Sequence, residues 1–79
     1  MSDTFPPGYR EGAVAFFNGR SVAENPLRGT MDGWNWWSGW HDAMALQVMM
    51  EARILNGAGL PEWATKMRQI ERDVREPTT

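Results

Sequence analysis

Cysteine is absent from this 79-residue chain, and histidine occurs once, at His41. The first absence excludes disulfides and cysteine-ligated zinc, and one imidazole cannot assemble a metal site by itself, so no metal and no cofactor are expected. Positive charge is also in short supply: eight Lys+Arg stand against ten Asp+Glu, for a net charge of −2. Proteins that grip nucleic acid by charge alone draw their affinity from many neutralised phosphates, which this balance cannot supply. Seven of the eight basic residues are Arg and only Lys66 is Lys, which favours shaped contacts over diffuse charge. No stretch reaches the roughly 18 apolar residues that a membrane span requires, and Ala43–Met50 falls far short. The first residues carry no basic stretch followed by an apolar one, the pattern of a secretory signal. A cytoplasmic protein is the resulting expectation. Glycine-rich phosphate loops, nucleotide fingerprints and paired carboxylates are missing too, and no nucleophile accompanies His41 and Asp42, so an enzyme is not expected.

What the chain does have is five Trp and six Met, with Trp34, Trp36, Trp37 and Trp40 packed into seven positions. They form either a heavy core for a small protein or a contact surface.

The pattern along the chain is helical throughout, with no alternating strand signal and no internal repeat. Residues 1–6 read as a flexible leader, 7–76 as one all-α domain of three helices, and 77–79 as a frayed tail. The first helix opens with Pro7 as its first position and Thr4 or Asp3 as caps, continues through the run Tyr9–Asn18, and has Gly19 as its stop. A long loop follows, marked by Asn25-Pro26 and Gly29. The second helix starts at a Thr30 or Asp32 cap and runs to Asn56, where Gly57-Ala58-Gly59 ends it; about 25 residues make a rod of roughly 37 Å. A third segment, Leu60–Glu76, opens with Pro61 and carries Trp63, Met67, Ile70 and Val74 on one stripe.

Two patterns connect the first pair of helices. Gly12, Ala15 and Gly19 recur at steps of three and four, which makes a flat strip of small residues. Bulky indoles need such a surface, and Gly39 beside Trp40 lets two backbones approach. The spacing therefore predicts an antiparallel hairpin with Trp36 and Trp40 lying across the first helix, on a face that continues through Ala43 to Met50 and Ile54. Trp37 joins Met44, Val48 and Leu55 on a neighbouring face, and Trp34 lies about 160° from Trp36. One helix cannot hide all four indoles against a single short partner. At least one of Trp34 and Trp37 is expected to meet a loop, a second chain or a partner.

The run Gly12-x2-Ala15-x3-Gly19-Arg20-Ser21, then Asn25-Pro26, then Trp36-x2-Gly39-Trp40-x2-Ala43-Met44 resembles the ribosome modulation factor family, without a gap, over Gly12 to about Met50. The resemblance implies a two-helix domain with a long connecting loop that binds the small ribosomal subunit and promotes inactive paired ribosomes, without catalysis. Leu27 stands where that family usually has an aromatic residue, the charge balance is acidic rather than strongly basic, and the third segment is an addition.

Two functions follow as expectations. In the first, the chain binds and inactivates a large ribonucleoprotein assembly, by resemblance the ribosome. Arg20 and Arg28 would then contact phosphates, and Trp34, Trp37 and His41 would complete the contact surface. In the second, it is a phage or mobile-element inhibitor of a host nucleic-acid-targeting complex, of the anti-CRISPR type. There Glu24, Asp32, Asp42 and Glu51 would meet a basic protein surface by charge complementarity. Trp63, Met67, Ile70 and Val74 serve either to dock the third helix or to form a homodimer. The Arg68, Arg72 and Arg75 ridge, interleaved with Glu71, Asp73 and Glu76, reads as a solvated face. Met44, Met49, Met50 and Met67 read as core filling or as an adaptable apolar groove.

Overall fold

A computed structural model describes residues 5–55 and 59–76, and the described residues are helical without strands. Three helices, α1 (Tyr9–Phe17), α2 (Met31–Glu51) and α3 (Glu62–Arg75), form a hairpin crossed by a third element. A single 3₁₀ turn, Val22–Glu24, interrupts the loop of the hairpin. The caps proposed at Asp3 and Thr4, the stop at Gly57-Ala58 and the tail 77–79 lie outside the described residues.

The start of α1 is later than the sequence suggests. Pro7 sits in a turn closed by a 3.1 Å bond from the Tyr9 N–H to the Pro6 carbonyl, and Gly8 at φ 91° breaks the helical run. Gly8 is also pressed against α2, where a methyl group would approach the Asp32 carbonyl oxygen to 2.6 Å. Phe5, assigned to the leader, instead stacks on Tyr9 with ring centroids 5.2 Å apart and packs against the core.

At its other end α1 stops where expected. Gly19 adopts φ 81°, its N–H bonds the Phe16 carbonyl at 2.9 Å, and the Arg20 N–H reaches back to the Ala15 carbonyl at 2.9 Å. This pair of bonds is the Schellman arrangement that a left-handed residue permits. Gly19 therefore serves as a stop and not as part of the packing strip, for nothing lies near it.

The hairpin is locked backbone to backbone. A methyl group on Gly12 would overlap the Trp36 carbonyl, and one on Gly39 would overlap the Tyr9 carbonyl. Each helix thus presents one glycine to the other's main chain, in the antiparallel order Gly12 opposite Trp36 and Tyr9 opposite Gly39. Trp36 is buried at 3% exposure, whereas Trp40 is half-buried, edge-on to Phe16 at 5.2 Å. The Trp40 indole N–H donates to the Arg20 carbonyl at 2.9 Å, which ties α2 to the end of α1. Tyr9 adds a second tie, donating its hydroxyl to Asp42 at 2.5 Å.

Helix α2 ends five residues before Asn56, at Glu51. Arg53 adopts φ 61°, and bonds from the Arg53 N–H to the Met50 carbonyl (3.1 Å) and from the Ile54 N–H to the Met49 carbonyl (2.9 Å) repeat the Schellman geometry. An arginine in this conformation is not a signal that sequence reading catches. Ile54, placed on the core face of a longer helix, is consequently exposed.

Helix α3 crosses the hairpin and meets α1 more extensively than α2. The core joins Ala13, Ala43 and Leu46 of the hairpin to Ala64, Met67 and Ile70 of α3. Ala13, Ala43 and Ala64 are fully buried, and Leu46 and Met67 are the largest side chains buried with them. Met67 and Ile70 of the expected stripe are thus spent on packing within the chain, Val74 is half-buried, and Trp63 is left at the edge, partly exposed. No helix among the described residues is long and apolar enough to cross a membrane.

Candidate functional site

The loop between α1 and α2 is built as a fixed structure. Ser21 accepts the Ala23 N–H at 3.1 Å while Glu24 accepts the Ser21 N–H at 2.9 Å, a capping box on the 3₁₀ turn. Asn25 then folds the chain back. Its side-chain oxygen accepts the Leu27 N–H at 2.9 Å and its amide donates to the Gly33 carbonyl at 3.0 Å. Thr30 caps α2 by accepting the Gly33 N–H at 3.0 Å and donates its hydroxyl to the Leu27 carbonyl at 2.7 Å. Gly33 is required here because a side chain would overlap the Leu27 carbonyl. These bonds hold Arg28, Gly29 and Met31 on the rim of an open groove of about 570 Å³ whose far wall is Trp34 and Trp37.

Trp34 and Trp37 are one helical turn apart on the outer face of α2, at 64% and 44% exposure. Their rings meet edge to face at 5.7 Å and 71°. Trp37 continues onto His41 at 4.0 Å, and His41 meets Trp40 at 5.0 Å. An unbroken aromatic path therefore joins the open groove to the packed hairpin. The His41 Nε2 atom is buried and has no hydrogen-bond partner among the described residues, and this imidazole stacks behind Trp37.

The structure brings together Arg28, Trp34 and Trp37, with His41 behind them. Arg28 enters no ion pair among the described residues, in contrast to Arg20, which pairs with Glu24 at 3.3 Å. Glu24 is held below the usual carboxylate range, chiefly by the Ser21 N–H and further by Arg20.

The acidic set is dispersed. Asp42 is engaged by Tyr9, whose own ionisation is pushed well above the usual tyrosine value, first by burial and then by the hydrogen bond to and charge of Asp42. Glu51 lies nine residues beyond Asp42 on α2, about 180° around the helix. Asp32 lies in the first turn of α2, between the groove-lining residues Met31 and Gly33, and none of the four acidic residues lines the groove itself. Among the described residues no group of three or more His, Cys, Asp or Glu could hold a metal ion.

Sequence reasoning missed Met31, at 76% the most exposed large apolar side chain among the described residues, and the positioning roles of Asn25 and Thr30. The Asn-Pro pair followed by a capping threonine carried that signal. Tyr9 had none, because its partner lies 33 residues away. Compared with known proteins, the chain matches no protein-family model, no curated protein and no solved structure.

Proposed function

We propose that this chain is a small, non-enzymatic cytoplasmic protein that binds a large ribonucleoprotein assembly and holds it inactive. By its resemblance to the ribosome modulation factor family, that assembly is the ribosome. The observation that carries this reading is the pair of exposed indoles, Trp34 and Trp37, beside the guanidinium of Arg28, which enters no ion pair among the described residues. Unpaired bases stack on aromatic faces whatever their sequence, and a guanidinium matches a phosphate with two parallel hydrogen bonds. An acidic protein can dock on RNA through a few shaped contacts of this kind without coating it in charge. Arg20 lies at the other end of the loop, and its exposed pair with Glu24 is weak enough, being screened by water, to exchange for a phosphate.

The alternative, blockade of a basic channel by Glu24, Asp32, Asp42 and Glu51, lacks a single acidic face to act through. Sucrose-gradient sedimentation at low salt tests the choice. The protein should travel with ribosomal particles, and the Arg28→Ala, Trp34→Ala double variant should stay at the top. Wild-type protein that stays at the top overturns the ribosomal reading. Asp32→Lys should strengthen binding to a phosphate-bearing target and weaken binding to a basic one.

A further inference from the structure

The described cations are unevenly committed. Arg10 pairs with Asp73, Arg20 with Glu24, Lys66 with Glu62, and Arg68 and Arg75 both with Glu71. Arg28 is the one beside exposed aromatic rings in an open groove. Its neighbours on the rim include Met31 and Gly33 of the first turn of α2, at the positive end of the helix dipole. Opposite stands the Trp34–Trp37 corner, with rings 71° apart. A flat ring laid on one indole has its edge against the other. The groove, about 570 Å³, is in the size range of small-ligand clefts and far too small for a duplex. Charge complementarity also selects the occupant: Arg28, the one cation lining this groove and without an ion pair among the described residues, suits one phosphate, not the dense charge of a double helix.

We infer that this groove receives one unpaired nucleotide of single-stranded RNA, its base stacked in the Trp34–Trp37 corner and its phosphate on Arg28. The inference rests on the ribonucleoprotein reading above and gives that binding a chemical identity. Stacking carries the affinity, so binding is only weakly sensitive to salt.

The test is an NMR titration of the whole protein with hexa-adenylate RNA, following the five indole N–H signals. The Trp34 and Trp37 signals should move while those of Trp36 and Trp63 stay. Affinity should fall only about threefold between 50 and 200 mM salt, the slope of a single phosphate on a single strand. A duplex hairpin RNA should bind at least about tenfold more weakly. Trp37→Ala should cost about tenfold, within the range for loss of one stacked base, and Trp37→Phe should retain most of the binding. Arg28→Gln should flatten the salt dependence. Both indoles are exposed, so circular dichroism should show the variants folded.

Equal binding of the duplex, a salt slope of three or more phosphates, or unchanged binding by Trp34→Ala and Trp37→Ala would each overturn the inference. Sedimentation with ribosomes without any RNA-induced indole shift overturns it as well, and assigns the docking to ribosomal protein. The expected shifts without sedimentation leave the nucleotide site standing and remove the ribosome as its bearer.

Discussion

Tyr9 contributes through a proton. Its hydroxyl, half-buried between α1 and α2, donates to Asp42, and burial together with that carboxylate raises its ionisation above the ordinary value of 10.0. A group held more tightly protonated in the folded state stabilises the fold fully below its unfolded value, and that contribution is lost as pH rises beyond it. Urea unfolding midpoints should therefore be flat towards pH 9 and fall steadily above pH 10. Tyr9→Phe should remove most of that alkaline fall and cost about 2 kcal/mol at neutral pH, as for a hydrogen bond to a charged group. Arg53 is the opposite case, a side chain in a conformation that suits glycine. Left-handed geometry costs a residue with a Cβ about 1 kcal/mol, so Arg53→Gly should raise the thermal midpoint by several degrees. No sequence pattern marks Arg53 for that role, which is why α2 was expected to run on to Asn56. Gly19 was legible for the converse reason, since only its missing side chain makes the conformation easy.

Among the elements, the hairpin depends on two glycines that face main chain. Gly12→Ala and Gly39→Ala each place a methyl group on a carbonyl that cannot swing aside, unlike the end of a flexible side chain. Each should cost about 3 kcal/mol, the upper range of overpacking, measured as a shift in the denaturant midpoint at constant slope. Gly19→Ala meets no neighbour, and its cost should come from its φ of 81° alone. The role of Gly12 and Gly39 was readable because small residues at helical spacing opposite indoles have few other uses. That of Gly33 was not, because its neighbour is the loop carbonyl of Leu27 rather than another helix. In α3 the predicted stripe holds at Met67 and Ile70 and differs at its first member, where Ala64 is buried and the bulkier Trp63 is left at the edge.

For the whole molecule, the question is whether α3 is an appendage or a structural member. Ala64, Met67 and Ile70 share one core with Ala13, Ala43 and Leu46, so α3 and the hairpin should unfold as one unit. Met67→Ala should cost about 3 kcal/mol, as for removal of a fully buried side chain. Far-UV circular dichroism and tryptophan fluorescence should shift together. Separate midpoints for the two probes would make α3 an independent attachment. The all-helical class and the hairpin were legible in periodicity and glycine spacing. The groove was legible only as an imbalance, too many indoles on α2 for one short partner to cover. Its rim depends on Asn25 and Thr30 closing a loop in three dimensions, which spacing alone does not reveal. The interlocked glycines carry one more consequence. With the rotation of α2 set by Gly12 and Gly39 on its inner side, positions 34 and 37 act as a display platform whose orientation does not depend on what they display. Their side chains are thus open to exchange, and the same scaffold could be retargeted to another molecule without redesign of its interior.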